Sequence, residues 1–470
     1  MGRVSNRLPT RPGRAVPTED HVRLARHLAA ALAAVVAGFL AMGVTAALGL
    51  WAAGATDLPG GAGAFVAVLA AVVVMATGGQ IGLSGDAGAL AGTQAELTAM
   101  PLTVTLVGAM VTGSVFLRPL RHHAVARAGD LLTLAVPTVV LWLAALGGVC
   151  ALARRDFPLT LGGGTTEETG DLGDLFGDLL DAANPSVGFR PDVGPTLFYG
   201  LLWILGVLVV ALLVSRRTPL PPRLVRHHQA VRPAASAMLL LLLAYVAVGL
   251  VIGLVVAATK GHAAETLAVL LLGLPNVSWL ALGIGIGGSW EGRAEGPFGL
   301  PMPQILDAVL RGGDGGRELS RVDLSSLAAQ DGRAWWLLPI AAVLVLAAAF
   351  VMAARSPARV PPWRHALHLG IALAVTLLVV TPLTLVEARF GLSILGIGDL
   401  EALGADVFLR PHIWRTVGLG LLWGLVAGLL GALLATRVHR RGEVPDNGAP
   451  ADRTEAGPGT GPGTGPGRDD

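Results

Sequence analysis

The sequence predicts an all-α integral membrane protein made of two parallel internal repeats. Apolar residues make up 53% of the 470-residue chain and charged residues only 14%, whereas a soluble protein of this size needs far more surface charge. Several uncharged apolar runs reach the roughly 20 residues that a helix needs to cross a bilayer. In addition, one segment occurs twice, at 190–217 and at 410–437.

The two copies of this segment match at an offset of 220, and the match includes their polar ends. The shared positions are Arg190-Pro191 with Arg410-Pro411, Thr196 with Thr416, Gly200–Trp203 with Gly420–Trp423, and Arg217 with Arg437. Similarity over a whole span and its polar ends indicates duplication, because shared apolar composition alone does not reproduce the ends.

Each predicted repeat contains five apolar runs in the same order. In the first half they lie at 28–52, 64–83, 101–117, 131–153 and 190–217. In the second half they lie at 235–257, 266–288, 335–354, 366–386 and 410–437. The connecting loops differ in length, as expected if insertions accumulate in loops.

Polar segments flank and join the two repeats. The predicted organisation is a polar cytoplasmic N-terminus at 1–26, a first membrane repeat at 27–217, a basic cytoplasmic linker at 218–233, a second membrane repeat at 234–437 and a disordered cytoplasmic tail at 438–470. The tail consists largely of glycine, proline and polar residues, which do not bury apolar surface.

Arginine-rich segments predict the orientation in the plasma membrane. They are the N-terminus, 118–127, 216–232, 355–364 and 437–441. The positive-inside rule assigns all of them to the cytoplasm, so each half crosses an even number of times and one of its five runs enters and leaves on one side. We expect eight crossings plus two re-entrant or broken helices, with both termini cytoplasmic. Ten crossings are the alternative, so the two predictions together give a range of 8–10 membrane helices.

The second run of each half is the predicted re-entrant or broken helix. Pro275 and Asn276 interrupt it in the second half, because proline removes a backbone hydrogen bond and clashes with the preceding turn. A Gly-Gly pair followed by Gln80 interrupts the first-half counterpart. Paired interruptions at membrane depth are typical of transporter sites. Asn276, Ser278 and Gln80 are therefore candidate residues of an intramembrane polar site; the alternative is a kink that helix packing tolerates.

Arg190 and Arg410 stand at the outer start of the last crossing of each half. They are candidate anchors that bind a lipid phosphate, or side chains that simply extend to the membrane interface. Membrane lipids are thus the predicted partners, together with a membrane-protein partner or a second copy of the chain. Nothing in the sequence suggests nucleic-acid binding.

Several kinds of chemistry find no support in the sequence. No acidic or basic residue lies well inside a proposed crossing, although proton- and ion-coupled carriers usually need one there. No serine, histidine and acid set and no metal-ligand cluster can be assembled on one side of the membrane. We therefore expect no enzymatic activity, no metal and no cofactor.

The sequence resembles the streptophobe family, which consists of very hydrophobic actinobacterial multi-pass membrane proteins. The resemblance rests on LPNVSWLALGIGI at 274–286, on EGPFGLPMP at 295–303, and on the FRP and FLRP motifs at 189–191 and 408–411. It covers most of 27–437. It implies a membrane location and a multi-pass architecture, but no established activity.

Two functions of different kinds follow from this reading. The first is a non-enzymatic envelope protein that organises lipids or protein partners, and it predicts a filled interior. The alternative is a transporter or channel with its site at the broken helices, and it predicts a water-filled cavity between the halves that reaches Asn276.

Overall fold

The computed structural model describes nine stretches of the chain. They are 18–57, 61–86, 91–120, 128–158, 186–215, 222–294, 320–356, 361–394 and 405–437. Most of the predicted N-terminus, the start of the linker and the whole predicted tail lie outside the described residues.

Helices dominate the described part of the chain. They are α1 (Thr18–Ala52), α2 (Gly61–Ala76), α3 (Leu102–Leu120), α4 (Ala128–Leu152), α5 (Val193–Val214), α6 (Pro222–Thr259), α7 (Ala263–Gly285), α8 (Leu324–Gln330), α9 (Leu337–Arg355), α10 (Pro362–Leu383) and α11 (Ile413–Ala435). Nine of these are long and apolar enough to cross a membrane, the exceptions being α2 and α8. The prediction of a helical multi-pass membrane protein is confirmed at this level.

An antiparallel sheet of eight strands, which no pattern in the sequence predicted, accompanies the helices. Its strands are β1 (Ile81–Asp86), β2 (Ala91–Ala99), β3 (Arg155–Pro158), β4 (Ser186–Pro191), β5 (Trp290–Ala294), β6 (Ser320–Val322), β7 (Val386–Ile394) and β8 (Ala405–Pro411). They pair in the order β3-β4-β1-β2-β7-β8-β5-β6. The pairing of β2 with β7 joins strands of the first half to strands of the second half.

All eight strands connect to the same end of the helix bundle, which we call the sheet side. Strands β1, β3, β5 and β7 follow the C-terminal ends of α2, α4, α7 and α10, while β2, β4 and β8 precede α3, α5 and α11. Strand β6 leads through α8 into α9. Inward-facing apolar side chains such as Ile81 and Phe189 pack the sheet against α2 and the end of α4.

Helices α2 and α7 each lead directly into a strand of the sheet, β1 and β5 respectively. Helix α7 follows the C-terminal end of α6 and leads into β5. Along its length Leu270 approaches Gly253 of α6, and Asn276 contacts Met100 and Leu102 at the start of α3. Helix α2 similarly starts beside Arg155 of β3, near Gly63, and leads into β1.

A glycine turn ends each of these two helices. Gly78 has φ of +91° and Gly287 has φ of +94°, a conformation that glycine adopts without the steric penalty of a Cβ atom. The backbone N–H of Gly78 donates to Met75 O at 2.9 Å, and that of Gly287 donates to Ile284 O at 2.9 Å. These bonds satisfy carbonyl groups at the helix C-termini.

The next glycine of each turn allows a close approach to the neighbouring helix. A Cβ atom on Gly79 would lie 2.8 Å from Thr196 Oγ1 of α5, and one on Gly288 would lie 2.9 Å from Thr416 Oγ1 of α11. In the first half the irregular backbone lies at Gly78 and Gly79, where the sequence predicts an interruption, whereas in the second half it lies at Gly287 and Gly288 and not at Pro275.

Two large apolar clusters fill the bundle. One consists of residues from α1, α2, α3, α4 and α5, with Trp142 stacked between Phe39 and Trp203. The other combines α6, α7, α9, α10 and α11 with Leu102 and Met100 from the first half. The second cluster thus extends across the boundary between the halves.

Candidate functional site

Asn276 uses both groups of its side-chain amide to hold the start of α3. Its Oδ1 accepts the backbone N–H of Leu102 at 3.1 Å, and its Nδ2 donates to Met100 O at 2.8 Å. The first bond satisfies one of the N–H groups that an α-helix leaves unpaired at its N-terminus. The amide is therefore occupied by contacts within the protein.

The predicted break at Pro275 is wrong, because α7 continues through this residue to Gly285. The hydroxyl of Thr103 donates to Leu270 O at 3.0 Å and accepts the N–H of Leu274 at 3.0 Å. A side chain from α3 thus bonds to the backbone of the helical turn just before the proline. Neighbouring helices commonly satisfy backbone groups near a proline in this way.

The other two candidate residues lie elsewhere. Ser278 faces α6, where its hydroxyl approaches Gly249, and it is buried without a hydrogen-bond partner in the described structure. It is two residues from Asn276, so the two side chains point to different faces of α7. Gln80 is exposed at the base of the sheet, where its backbone carbonyl accepts the backbone N–H of Asp192 at 3.3 Å. No described contact joins Gln80 to Asn276 or Ser278.

The two predicted arginine anchors lie at the base of the sheet and each pairs with a carboxylate on the neighbouring strand. Arg190 Nη2 lies 3.2 Å from Asp156 Oδ2, and both side chains are more than half exposed, at 67% and 57%. Arg410 pairs with Glu387, whose side chain is only 20% exposed. The guanidinium of Arg410 also lies over the ring of Phe408, 4.9 Å from its centroid. Arg410 is therefore held more firmly than Arg190.

The strands around these arginines pair in the same register in both halves. Ile81 lies opposite Pro191 and Trp290 lies opposite Pro411. One step along, Gly82 of β1 lies opposite Arg190, and Glu291 of β5 lies opposite Arg410. Glu291 therefore occupies the position in the second half that Gly82 occupies in the first half.

The residues beside the arginines differ between the halves. In the second half, Glu291 Oε1 lies 2.8 Å from His412 Nε2 at the base of the sheet. In the first half, the positions of Glu291 and His412 are taken by Gly82 and Asp192. Phe408 likewise corresponds to Gly188, over which the carboxylate of Asp156 lies.

A shallow cavity opens where the first half lacks these side chains. Its volume is about 320 Å³, and its lining residues are Gln80, Ile81, Gly82, Arg190, Pro191 and Asp192. A Cβ atom on Gly82 would meet only Arg190 O, at an ordinary distance of 3.7 Å. The glycine is therefore not required by crowding of the backbone, and its effect is to leave the space open.

Neither a family model, nor a curated protein, nor a solved structure matches this chain.

The sequence predicted both arginines and Gln80, which lines the cavity beside Arg190, but not the carboxylates that pair with the arginines. Their carboxylate partners lie on strands that were not predicted, and the pairs Asp156–Arg190 and Glu387–Arg410 span 34 and 23 residues of chain. One signal was available. When the two halves of the sequence are aligned on their Gly-Gly pairs, at 78–79 and 287–288, Gly82 and Glu291 take the same position in the alignment.

Proposed function

We propose that this protein is a non-enzymatic plasma-membrane scaffold that organises lipids or a protein partner at the outer face of the plasma membrane. In this proposal eight helices cross the membrane, α2 and α7 are re-entrant, and both termini are cytoplasmic. The sheet stands on the outer side and presents the exposed arginine-carboxylate pairs at its base.

The filled boundary between the halves is the observation that carries the proposal. Both amide groups of Asn276 bond to α3, Ser278 lies against Gly249, and Leu102 is fully buried among residues of the second half. A transporter needs a path or a site that exchanges with water near the midplane. The contacts at Asn276 favour a scaffold, because its amide oxygen and nitrogen bond to α3 and are not available to a transported ligand.

The arrangement of the helix ends supports the proposed orientation. Helices α3, α5, α9 and α11 end opposite the sheet, and in the sequence the arginine-rich segments at 118–127, 216–232, 355–364 and 437–441 begin at or just after these helix ends. On the sheet side, the exposed side chains of Trp51, Trp335, Trp336 and Trp414 fit the aromatic belt of a membrane interface, where amphipathic rings concentrate.

Corresponding geometry in the two halves supports the proposed duplication. The strand order β3-β4-β1-β2 in the first half has the same pattern as β7-β8-β5-β6 in the second half. The Arg190 and Arg410 ion pairs and the two glycine turns also correspond. We infer that two copies of one unit lie side by side in the same orientation to the membrane. The resemblance to the streptophobe family stays part of this proposal.

Permeability of reconstituted vesicles tests the scaffold against the alternative of a transporter or channel. The full chain is reconstituted into liposomes, and the leakage of protons, potassium ions, glycerol and an entrapped anionic dye is followed. We expect the same permeability as in protein-free liposomes. Protein-dependent flux that Asn276→Ala changes and Ser278→Ala leaves unchanged would restore the alternative function.

A further inference from the structure

We propose that the cavity at the base of the first-half sheet binds the headgroup of an aminophospholipid, that is, a phosphate joined to a primary ammonium group. This inference rests on the proposed scaffold function and names the lipid that the scaffold recognises. It assigns the phosphate to Arg190 and the ammonium group to the carboxylates of Asp192 and Asp156.

The position of the cavity suits a lipid headgroup. It lies where β4 ends at Pro191 and α5 begins at Val193, on the sheet side of a 22-residue apolar helix. The corresponding place in the second half lies beside Trp414, a tryptophan that is 81% exposed at the start of α11. Exposed tryptophans of this kind mark the headgroup level of a bilayer.

The charges of the cavity select a ligand with both signs of charge. The lining contains one guanidinium, Arg190, and one carboxylate, Asp192, and Asp156 of the neighbouring strand pairs with Arg190. An anionic phosphate alone leaves the carboxylate of Asp192 without a cation, and an amine alone leaves Arg190 unused. A zwitterion with a primary ammonium satisfies both, and its N–H donors distinguish it from the quaternary amine of choline.

Arg190 and Asp192 are both free to change partners. The Arg190–Asp156 pair is largely exposed, and exposed pairs of this kind contribute little to stability. Asp192 is the residue before α5, but its side chain makes no capping hydrogen bond to the helix. A guanidinium binds phosphate through two parallel hydrogen bonds, so the ligand offers Arg190 a better partner than the carboxylate.

The second half provides an internal control, because its corresponding place is already filled. The pair formed by Glu291 and His412 occupies it, and Arg410 is held by Glu387 and Phe408. The two halves thus share one strand geometry, with an open site in the first half and a closed site in the second half. Exchanging Gly82 and Asp192 with Glu291 and His412 should close the first site and open the second.

The test measures lipid retention by native mass spectrometry of the full chain released from vesicles. The vesicles contain phosphatidylcholine alone, or phosphatidylcholine with equal parts of either phosphatidylethanolamine or phosphatidylglycerol. We expect the wild type to retain one phosphatidylethanolamine in preference to either other lipid. The variant Gly82→Glu/Asp192→His, which copies the second half, should lose this preference by about tenfold or more, which corresponds to roughly 1.4 kcal/mol.

Two further variants distinguish the loss of the lipid site from a folding defect, because one keeps the shape of the side chain and the other should gain a bound lipid. Asp192→Asn keeps the shape of the side chain and should lose the preference for ethanolamine over choline. Glu291→Gly/His412→Asp opens the second-half site and should allow a second phosphatidylethanolamine to be retained. Soluble glycerophosphoethanolamine at the same concentration should not displace the lipid; displacement would show that the site takes a free headgroup and would overturn the lipid assignment.

The remaining outcomes separate this inference from the scaffold function. Equal retention of phosphatidylethanolamine and phosphatidylcholine by the wild type overturns the inference, and so does an unchanged preference in the Gly82→Glu/Asp192→His variant. Equal retention of phosphatidylglycerol overturns the role of the ammonium group. If the vesicles remain impermeable in these cases, the scaffold function stands without the lipid site; if they leak through the protein, the scaffold function itself fails.

Discussion

Asn276 is the polar side chain through which the second half holds the start of α3. Its amide makes two hydrogen bonds, to Leu102 and Met100, across 174 and 176 residues of chain. Ser278, two residues further along α7, is more deeply buried but has no hydrogen-bond partner in the described structure. The two residues therefore provide a matched comparison of a bonded and an unbonded polar group.

We expect Asn276→Ala to lower the free energy of unfolding by about 1–3 kcal/mol, because a net contribution of about 0.5–1.5 kcal/mol per hydrogen bond is lost twice. Ser278→Ala should change it by less than about 0.5 kcal/mol. The measurement is an unfolding titration with sodium dodecyl sulfate in mixed micelles, followed by tryptophan fluorescence. Equal stability of the two variants would show that the amide does not join the halves.

At the scale of elements, glycines decide how closely α10 and α11 approach. A Cβ atom on Gly424 would lie 2.6 Å from Gly370 Cα and 2.9 Å from Gly370 N. Both are backbone atoms, so the helices must move apart to admit a methyl group. Gly420 and Gly428 also lie against α10, so this glycine face of α11 packs inside the bundle.

Gly424→Ala should lower the free energy of unfolding by roughly 1–3 kcal/mol through overpacking. Gly418→Ala, on the same helix but with no atom within 4 Å of the new Cβ, should be neutral or stabilising because alanine has the higher helix propensity. The same detergent titration checks both variants. Destabilisation of similar size at the two positions would contradict the close contact.

The short helix α8 depends on the side chain of Asp323. Its carboxylate accepts the N–H of Ser326 at 2.9 Å, and Ser326 Oγ accepts the N–H of Asp323 at 2.9 Å. Burial raises the pKa of Asp323, but the hydrogen bonds from Ser325 and Ser326 and the charge of Arg321 outweigh it, so the pKa lies below its ordinary value. The ionised cap holds α8, whose Leu327 packs against Trp290 at the sheet.

Asp323→Ala should destabilise α8 by about 0.5–2 kcal/mol, whereas Asp323→Asn keeps an acceptor oxygen and should retain most of the stability. Because the pKa is lowered on folding, the contribution of the carboxylate is complete above the pKa of an unfolded aspartate and is lost as the pH falls through the lower folded value. Hydrogen exchange of the amides at 324–330 measures this. Unchanged exchange in Asp323→Ala would rule out the cap.

At the scale of the whole molecule, the sequence predicted the helices much better than the sheet. Uncharged apolar runs give a strong local signal for each spanning helix, and Pro101 marked the start of α3 within one residue. The strands have only three to nine residues, and several contain glycines, so alternation is weak in each. Their order depends on pairing between distant segments, which no local pattern records.

The same limit explains the error at Pro275. Proline weakens a helix locally, but whether the helix breaks depends on contacts that neighbouring segments make with its backbone. Thr103, 171 residues away along the chain, accepts the N–H of Leu274 and donates to Leu270 O in the turn before the proline. The arginine anchors could be predicted because they belong to a repeated motif, whereas the cavity beside Arg190 arises from a difference between the two copies.

A disulfide between β2 and β7 tests most directly whether both halves build one sheet outside the membrane. Ala99 and Val386 lie directly opposite each other, and such Cα atoms are roughly 4.5–5.5 Å apart, within reach of a disulfide. In a Cys150→Ala background, Ala99→Cys/Val386→Cys should cross-link on oxidation of intact cells, and an impermeant maleimide added first should prevent it. Ser84→Cys/Val386→Cys should not cross-link, because β2 separates those strands. A folded Ala99→Cys/Val386→Cys variant that does not cross-link would contradict the shared sheet, and cross-linking that resists the maleimide would contradict its position outside.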